Sequence, residues 1–186
     1  MAWTTPKTWT SGELVTAALK NAHVRDNMLG ITDGYWLDPQ AFVVGSGAAL
    51  SLVGSAGGLL RALIWAFDPT TTEYIIGMRL LPSYLRGGTT QATIYWAPST
   101  ANTGTVIWNL HTATIAAAEQ IDQAADETDA FAAQAGSGSA EALHITSTVN
   151  LTALTGPLVR IVVQRDIADT NTGDAWFLGL LLQRTA

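Results

Sequence analysis

Two periods of apolar and polar positions divide the chain. Near the N-terminus Leu14, Val15, Ala18, Leu19 and Ala22 recur at helical spacing, with Lys20, His23, Arg25 and Asp26 on the opposite side. Thr10 and Glu13 form a capping box ahead of this run and Gly30 is a natural stop, so a helix is predicted over residues 11–29. From about residue 31 the period changes from 3.6 to 2. Strands are predicted at 59–67, 74–81, 91–97, 105–115, 141–151, 157–166 and 174–184, separated by Pro, Gly, Asn and Thr turns. The Gly/Ser-rich stretch 45–58 fits a linker or an edge strand.

Alternation assigns faces. Ala92, Ile94 and Trp96 share one side of their strand, with Thr93 and Tyr95 opposite; Leu143, Ile145, Val149 and Leu151 share a side, with His144, Thr146, Thr148 and Asn150 opposite. Strict alternation in the last strand puts Trp176, Leu178, Leu180 and Leu182 on one face and Phe177 and Leu181 on the other. Both faces are apolar, so this strand is expected to be central or to lie against a second subunit. Residues 116–136 are rich in Ala, Glu and Gln but carry Asp122, Asp126 and Asp129 with no sustained apolar stripe, which predicts a loop with a short strand around Asp129 to Ala133. Seven or eight such strands predict a mainly β chain, an antiparallel two-sheet β-sandwich of jelly-roll type. The division expected is 1–36 for an N-terminal arm and helix, 37–58 for a linker or edge strand, and 59–186 for the sandwich.

Composition narrows the function. Of 186 residues 48% are hydrophobic and only 13% charged, which leans towards an assembled protein because obligate interfaces resemble cores. A formal net charge of −6, with Lys7 and Lys20 as the only lysines, leaves no basic face for a phosphate backbone and argues against nucleic-acid binding. The absence of cysteine excludes disulfides and thiolate chemistry. No secretory leader and no apolar run of about 18–20 residues is present, so the expectation is a chain made without export and not membrane-spanning.

Candidate chemistry is sparse. His23, His111 and His144 lie on three separate elements without metal-ligand spacing, so no metal site is predicted. Asp68 and Glu73 flank the turn "DPTTTE"; two carboxylates there could serve as acid and base in glycoside hydrolysis, but Asp68 in such a turn ordinarily bonds its own backbone. Arg165, Asp166, Asp169, Asn171 and Asp174 crowd one loop in loose imitation of a calcium loop, without the 12-residue pattern or its closing Glu. Trp65, Trp96, Trp108 and Trp176 sit mid-strand, where core packing is their expected role. Tyr35, Trp36 and Tyr84 are the aromatics outside strand interiors, and form the candidate ligand platform. No catalytic residue and no cofactor is predicted.

Two stretches resemble a known group. Trp9, Gly12, Glu13, Val15, Thr16, Ala17, Asn21, His23, Arg25, Asp26 and Asn27 match the outline W-x-x-G-E-x-V-T-A-x-x-x-N-x-H-x-R-D-N, which opens many tailed-phage virion proteins of tail, fibre or minor structural type. The segments 65–84, 94–108 and 158–183 resemble a β-sandwich module of phage and environmental viral proteins. The resemblance implies a non-enzymatic structural component of the virion, such as a head fibre, tail fibre or decoration protein. It implies a homotrimer of jelly-roll-like sandwiches attached through the N-terminus to capsid, neck or tail proteins. Trp3, Trp9, Leu14, Val15 and Leu19 would be the docking anchors, unless the helix folds back on its own sandwich. The competing expectation is a carbohydrate-binding module for host attachment, recognising a surface glycan on the same particle; a glycosidase is a third.

Overall fold

The computed structural model describes residues 34–53 and 62–185. The chain divides into two units, Met1–Tyr35 with Ala186 and Trp36–Thr185. The predicted helix at 11–29, and with it Trp3, Trp9, Leu14, Val15 and Leu19, lies outside the described residues.

The second unit is a two-sheet β-sandwich. Its strands are β1 (Tyr35–Leu37), β2 (Val43–Ser46), β3 (Ala49–Val53), β4 (Ala62–Phe67), β5 (Glu73–Leu80), β6 (Thr90–Pro98), β7 (Thr105–Val106), β8 (Trp108–Ile115), β9 (Glu127–Ala130), β10 (Gln134–Ala135), β11 (His144–Ile145), β12 (Val149–Leu151), β13 (Leu158–Arg165) and β14 (Ala175–Arg184). A seven-stranded sheet runs β11-β6-β14-β4-β3, with β12 also on β6 and β1 also on β14; a five-stranded sheet runs β2-β5-β13-β8-β9; β7 and β10 form a small ribbon. The major ladders are antiparallel. The chain repeatedly crosses from one sheet to the other, as a jelly-roll-like sandwich requires.

Alternation builds the core. On β13 Val159, Ile161 and Val163 point inward beside Ile75 of β5 and Leu110 of β8, and they meet Ala92, Ile94 and Trp96 of β6 with Phe177, Leu180 and Leu182 of β14. Each fully buried side chain of this size contributes about 1.5–3 kcal/mol of transfer free energy. Aromatic edges join the layers: Phe42 meets Phe177 at 5.3 Å between ring centroids, Phe177 meets Trp108 at 6.3 Å, and Trp108 meets Phe67 at 5.1 Å. Gly77 is needed where β5 passes this cluster, since a methyl there would lie 2.9 Å from the Ala41 carbonyl oxygen.

The expected faces fail at two places, for one reason. In β14 the pairing with β6 shifts between Phe177 and Gly179, so Phe177 is opposite Trp96 while Gly179 is opposite Tyr95. This bulge inserts one residue and reverses the alternation, putting Phe177 on the inner face with Leu180 and Leu182, instead of the predicted Trp176 and Leu178. In the segment 141–151, Ile145 is opposite Tyr95 but Val149 is opposite Ala92, again one residue out of step. Leu143 and Ile145 are therefore exposed, His144 and Thr146 turn inward, and Leu151 is buried, rather than all four apolar residues sharing a face. Thr146 fills the break by donating its backbone N–H to the Ile94 carbonyl and accepting the Ile94 N–H on Oγ1.

The acidic stretch 116–136 folds as a loop over the outer face of the five-stranded sheet, followed by β9 at Glu127–Ala130, slightly before the predicted position. Its carboxylates bond backbone instead of forming a helix face. Asp126 accepts the Thr114 N–H at 2.7 Å, and Arg160 donates to the carbonyls of Ile121 and Gln123 and to Asp122. Glu127 accepts from Thr152 and Ala153, tying the edge of one sheet to the edge of the other.

One buried ion pair anchors the loop end. Arg165 donates through Nε to Asp169 at 2.6 Å, with both side chains essentially without exposure, and its other nitrogens reach the carbonyls of Phe67, Asn171 and Gly173. Each donor direction meets an oxygen, four of them from the 166–174 loop and one from Phe67 at the end of β4, which satisfies the charge and fixes the loop against β4. Arg165→Met would strand the Asp169 carboxylate without a partner and is expected to cost about 3–5 kcal/mol in denaturant unfolding. Combining it with Asp169→Leu should recover most of that loss; equal loss in the single and double variants would contradict the assignment.

Candidate functional site

The bulge that turns Phe177 inward has a second effect on the opposite face. It sets Gly179 beside Tyr95 on the outer surface of the seven-stranded sheet, at φ +156°. The indole of Trp36, carried in by β1, lies directly over Gly179, and a methyl at that position would overlap the six-membered ring. Trp36 meets Tyr95 edge-to-face at a centroid distance of 5.0 Å and an interplanar angle of 80°. Such a pair contributes about 0.5–1.5 kcal/mol beyond its buried area, so the indole is held in place although 46% of Trp36 remains exposed. Next across the sheet, opposite Tyr95 on β11, stands Ile145, 47% exposed.

Of the predicted platform, the structure retains Trp36 and does not gather the rest around it. Tyr35 is half-buried. Tyr84 sits in the single turn Ser83–Leu85, whose Tyr84 carbonyl accepts from Arg184, five residues along β14 from Gly179, or roughly 17 Å of strand. Tyr95 is the ring beside Trp36 that the sequence reading did not include. Its signal was present, because a large aromatic on the Thr93 side of an alternating strand occupies a face assigned to solvent.

Several ionisable groups among the described residues are bound up in architecture. Asp68 Oδ1 accepts from the Thr70 N–H and hydroxyl, which holds its carboxyl below the usual carboxylate range. Glu73 is buried and accepts the Asp68 N–H at 2.7 Å, and burial pushes its carboxyl up. The two close a turn, with the backbone N–H of one bonded to the carboxylate of the other. In the 166–174 loop, Asp169 is held by Arg165, Asp166 accepts from Ala168 and Asn109, and Asn171 accepts from Gly173, so the calcium-like oxygens close Asx turns. His111 bonds Thr128 through one ring nitrogen and Gln164 through the other. Among the described residues no three His, Asp or Glu side chains converge as a metal site. Trp65 and the fully buried Trp96 and Trp108 pack in the core as predicted, while Trp176 is only half-buried.

Solved structures similar to this chain include β-sandwich carbohydrate-binding modules. The CBM22-2 xylan-binding domain from Paenibacillus barcinonensis Xyn10C superposes with a TM-score of 0.54 at 12% identity, over 81% of this chain and 99% of that one. The CBM36-1 domain of a multidomain xylanase from the hindgut metagenome of Trinervitermes trinervoides gives 0.50 at 14% identity, over 83% and 99%. An Arthrobacter globiformis isomalto-dextranase, complexed with panose, gives 0.53 at 13% identity, over 76% of this chain and 22% of the enzyme. At these identities the likeness is one of fold. No protein-family model and no curated protein sequence matches the chain.

Two outcomes test this geometry. Gly179→Ala should displace the Trp36 ring, changing the tryptophan fluorescence and costing about 1–3 kcal/mol by overpacking; an unchanged spectrum would show that the ring does not rest there. The second concerns His144, whose imidazole stacks on Trp96 at 4.6 Å and is held below its ordinary value of 6.5 by burial. The unfolded chain then binds a proton that the native state refuses, so stability is full above about pH 6.5 and declines as pH falls below it. Glu73 and Asp129, both raised by burial from 4.5 and 3.8, act in the opposite sense at lower pH. Melting temperatures should fall between about pH 7 and 6 in the native chain, and His144→Phe should remove that slope.

Proposed function

We propose that the chain is a non-enzymatic carbohydrate-binding module whose ligand stacks on Trp36. The observation that carries this is the indole itself, fixed by Gly179 beneath it and Tyr95 at its edge while almost half of it faces solvent. An apolar ring pre-positioned in this way loses little freedom when a sugar face covers it. The fold supports the reading, since sandwiches of the same build include a xylan-binding domain. Among the described residues the candidate pair Asp68 and Glu73 is engaged within its own turn, which is compatible with recognition without cleavage.

The setting proposed is the surface of a phage particle. It rests on the N-terminal segment, whose Trp9, Gly12, Glu13, His23, Arg25, Asp26 and Asn27 match the virion signature. In that setting a homotrimer would dock through Trp3, Trp9, Leu14, Val15 and Leu19 to other virion proteins, and the sandwich would meet a host surface glycan. Repetition of a weak site in three copies raises effective affinity without new contacts.

A glycan array probed with the full chain should yield hits, and Trp36→Ala should weaken the best of them about 30-fold, as expected for loss of an aromatic anchor worth on the order of 2 kcal/mol. No hits, or hits unaffected by Trp36→Ala, would defeat the proposal. Light scattering should give three times the 19.6 kDa chain mass, and a monomer would remove the trimer.

A further inference from the structure

The face that carries Trp36 differs chemically from the other sheet. Across all seven of its strands the only side chains that ionise are Tyr35, Tyr95, His144 and Arg184. Arg184 is engaged with the carbonyls of Tyr84 and Arg86, and His144 turns inward onto Trp96. The five-stranded sheet, by contrast, holds Glu73, Arg79, Glu127, Asp129, Arg160 and Arg165 besides Tyr74 and His111. Around Trp36, Tyr95 and Ile145 the described strands therefore offer no cation to an acidic sugar; the exposed Asp38 follows β1 directly, and Arg184 lies roughly 17 Å along β14 from Gly179.

Register shows how this surface is laid out. Ile145 of β11 is opposite Tyr95 of β6, Tyr95 is opposite Gly179 of β14, and Trp36 of β1 lies over Gly179. The row Trp36–Tyr95–Ile145 thus runs across the strands from β14 over β6 to β11, through two inter-strand spacings, or roughly 10 Å. That is longer than one sugar ring. On the same face, four residues further along β6, Gln91 is opposite Asn150 of β12. Their amides present both donors and acceptors, which suits hydroxyl groups that are both as well.

We infer that the ligand is a neutral oligosaccharide of several sugar units laid across the strands, with one ring on Trp36 and later units on Tyr95 and Ile145. This rests on the glycan-binding reading and adds charge class, direction and length to it. An anionic glycan would have to shed water from its carboxylate or sulfate without meeting a counter-charge, a cost that a neutral chain avoids.

The test uses the full chain on an array holding neutral xylo-, cello-, malto-, manno- and galacto-oligosaccharides beside oligogalacturonates, sialyllactose and heparin fragments. Calorimetry then follows with the best neutral hit as disaccharide and hexasaccharide. The expected result is a neutral hit, a hexasaccharide at least about tenfold tighter than its disaccharide, and no response from the anionic set. Ile145→Asp, at an exposed position, should weaken the hexasaccharide about fivefold or more while leaving the disaccharide on Trp36 unchanged. A preference for anionic glycans, equal affinity for both lengths, or indifference to Ile145→Asp would overturn the inference while leaving the glycan-binding function standing. Silence across the whole array would overturn both.

Discussion

The bulge in β14 between Phe177 and Gly179 is the constraint on which both the core and the surface depend. One inserted residue lets Phe177, Leu180 and Leu182 face inward together, and so lets the last strand supply the aromatic that joins Phe42 to Trp108 across the sandwich. The same insertion leaves Gly179 on the outer face with no side chain, which is the space that the Trp36 ring occupies. A regular strand could do one of these but not both, because strict alternation would bring a side chain to the surface wherever it released one to the core. Packing and site are thus two consequences of one local irregularity.

Its position follows from what surrounds it. β14 is paired on both sides, by β6 along its length and by β4 and β1 on the other flank, so it cannot shift register without breaking two ladders. The Trp36–Tyr95 pair closes over the bulge from outside while Phe177 fills the inside, and the irregular backbone is held between two aromatic contacts. Bulges beside functional surfaces commonly re-aim side chains, and here the bulge clears a place for one.

Most of the fold was legible in the sequence, because seven of its strands are long or strongly alternating and are bounded by turn residues whose chemistry the structure confirms at Asp68, Asp166 and Asn171. What was not legible shares a physical cause. A period-2 pattern carries no record of a one-residue slip, so the faces of Phe177 and Trp176 were read wrongly within a strand that was read correctly, while the single strand predicted over 141–151 is two short pieces, β11 and β12, with Leu143 outside both. The loop at 116–126 was legible only as something other than a helix, since the partners that hold it, Arg160 and the Thr114 N–H, are distant in sequence. For the site, Trp36 was visible as an aromatic outside the strong strands. Tyr95 had to be recognised as a ring on the wrong side of a good strand, and Tyr84 was misplaced because sequence could not show that its turn lies at the far end of β14.

The charges point the same way as the aromatics. The carboxylates traced above each have structural work: Glu127 bridges the sheet edges, Asp169 neutralises Arg165, Asp126 and Asp166 cap backbone, and Asp68 and Glu73 close their turn. Hydrolytic chemistry would require two carboxylates free of such duties and facing a common space with raised and ordinary affinities for the proton. Glu73 has the raised affinity but reaches it by being sealed against its own turn, where the Asp68 N–H already occupies the oxygen that would act. The face left uncommitted is the neutral one, and what it offers is area, shape and a fixed indole. Those are the means of recognition by stacking, on which the binding function proposed for this sandwich rests.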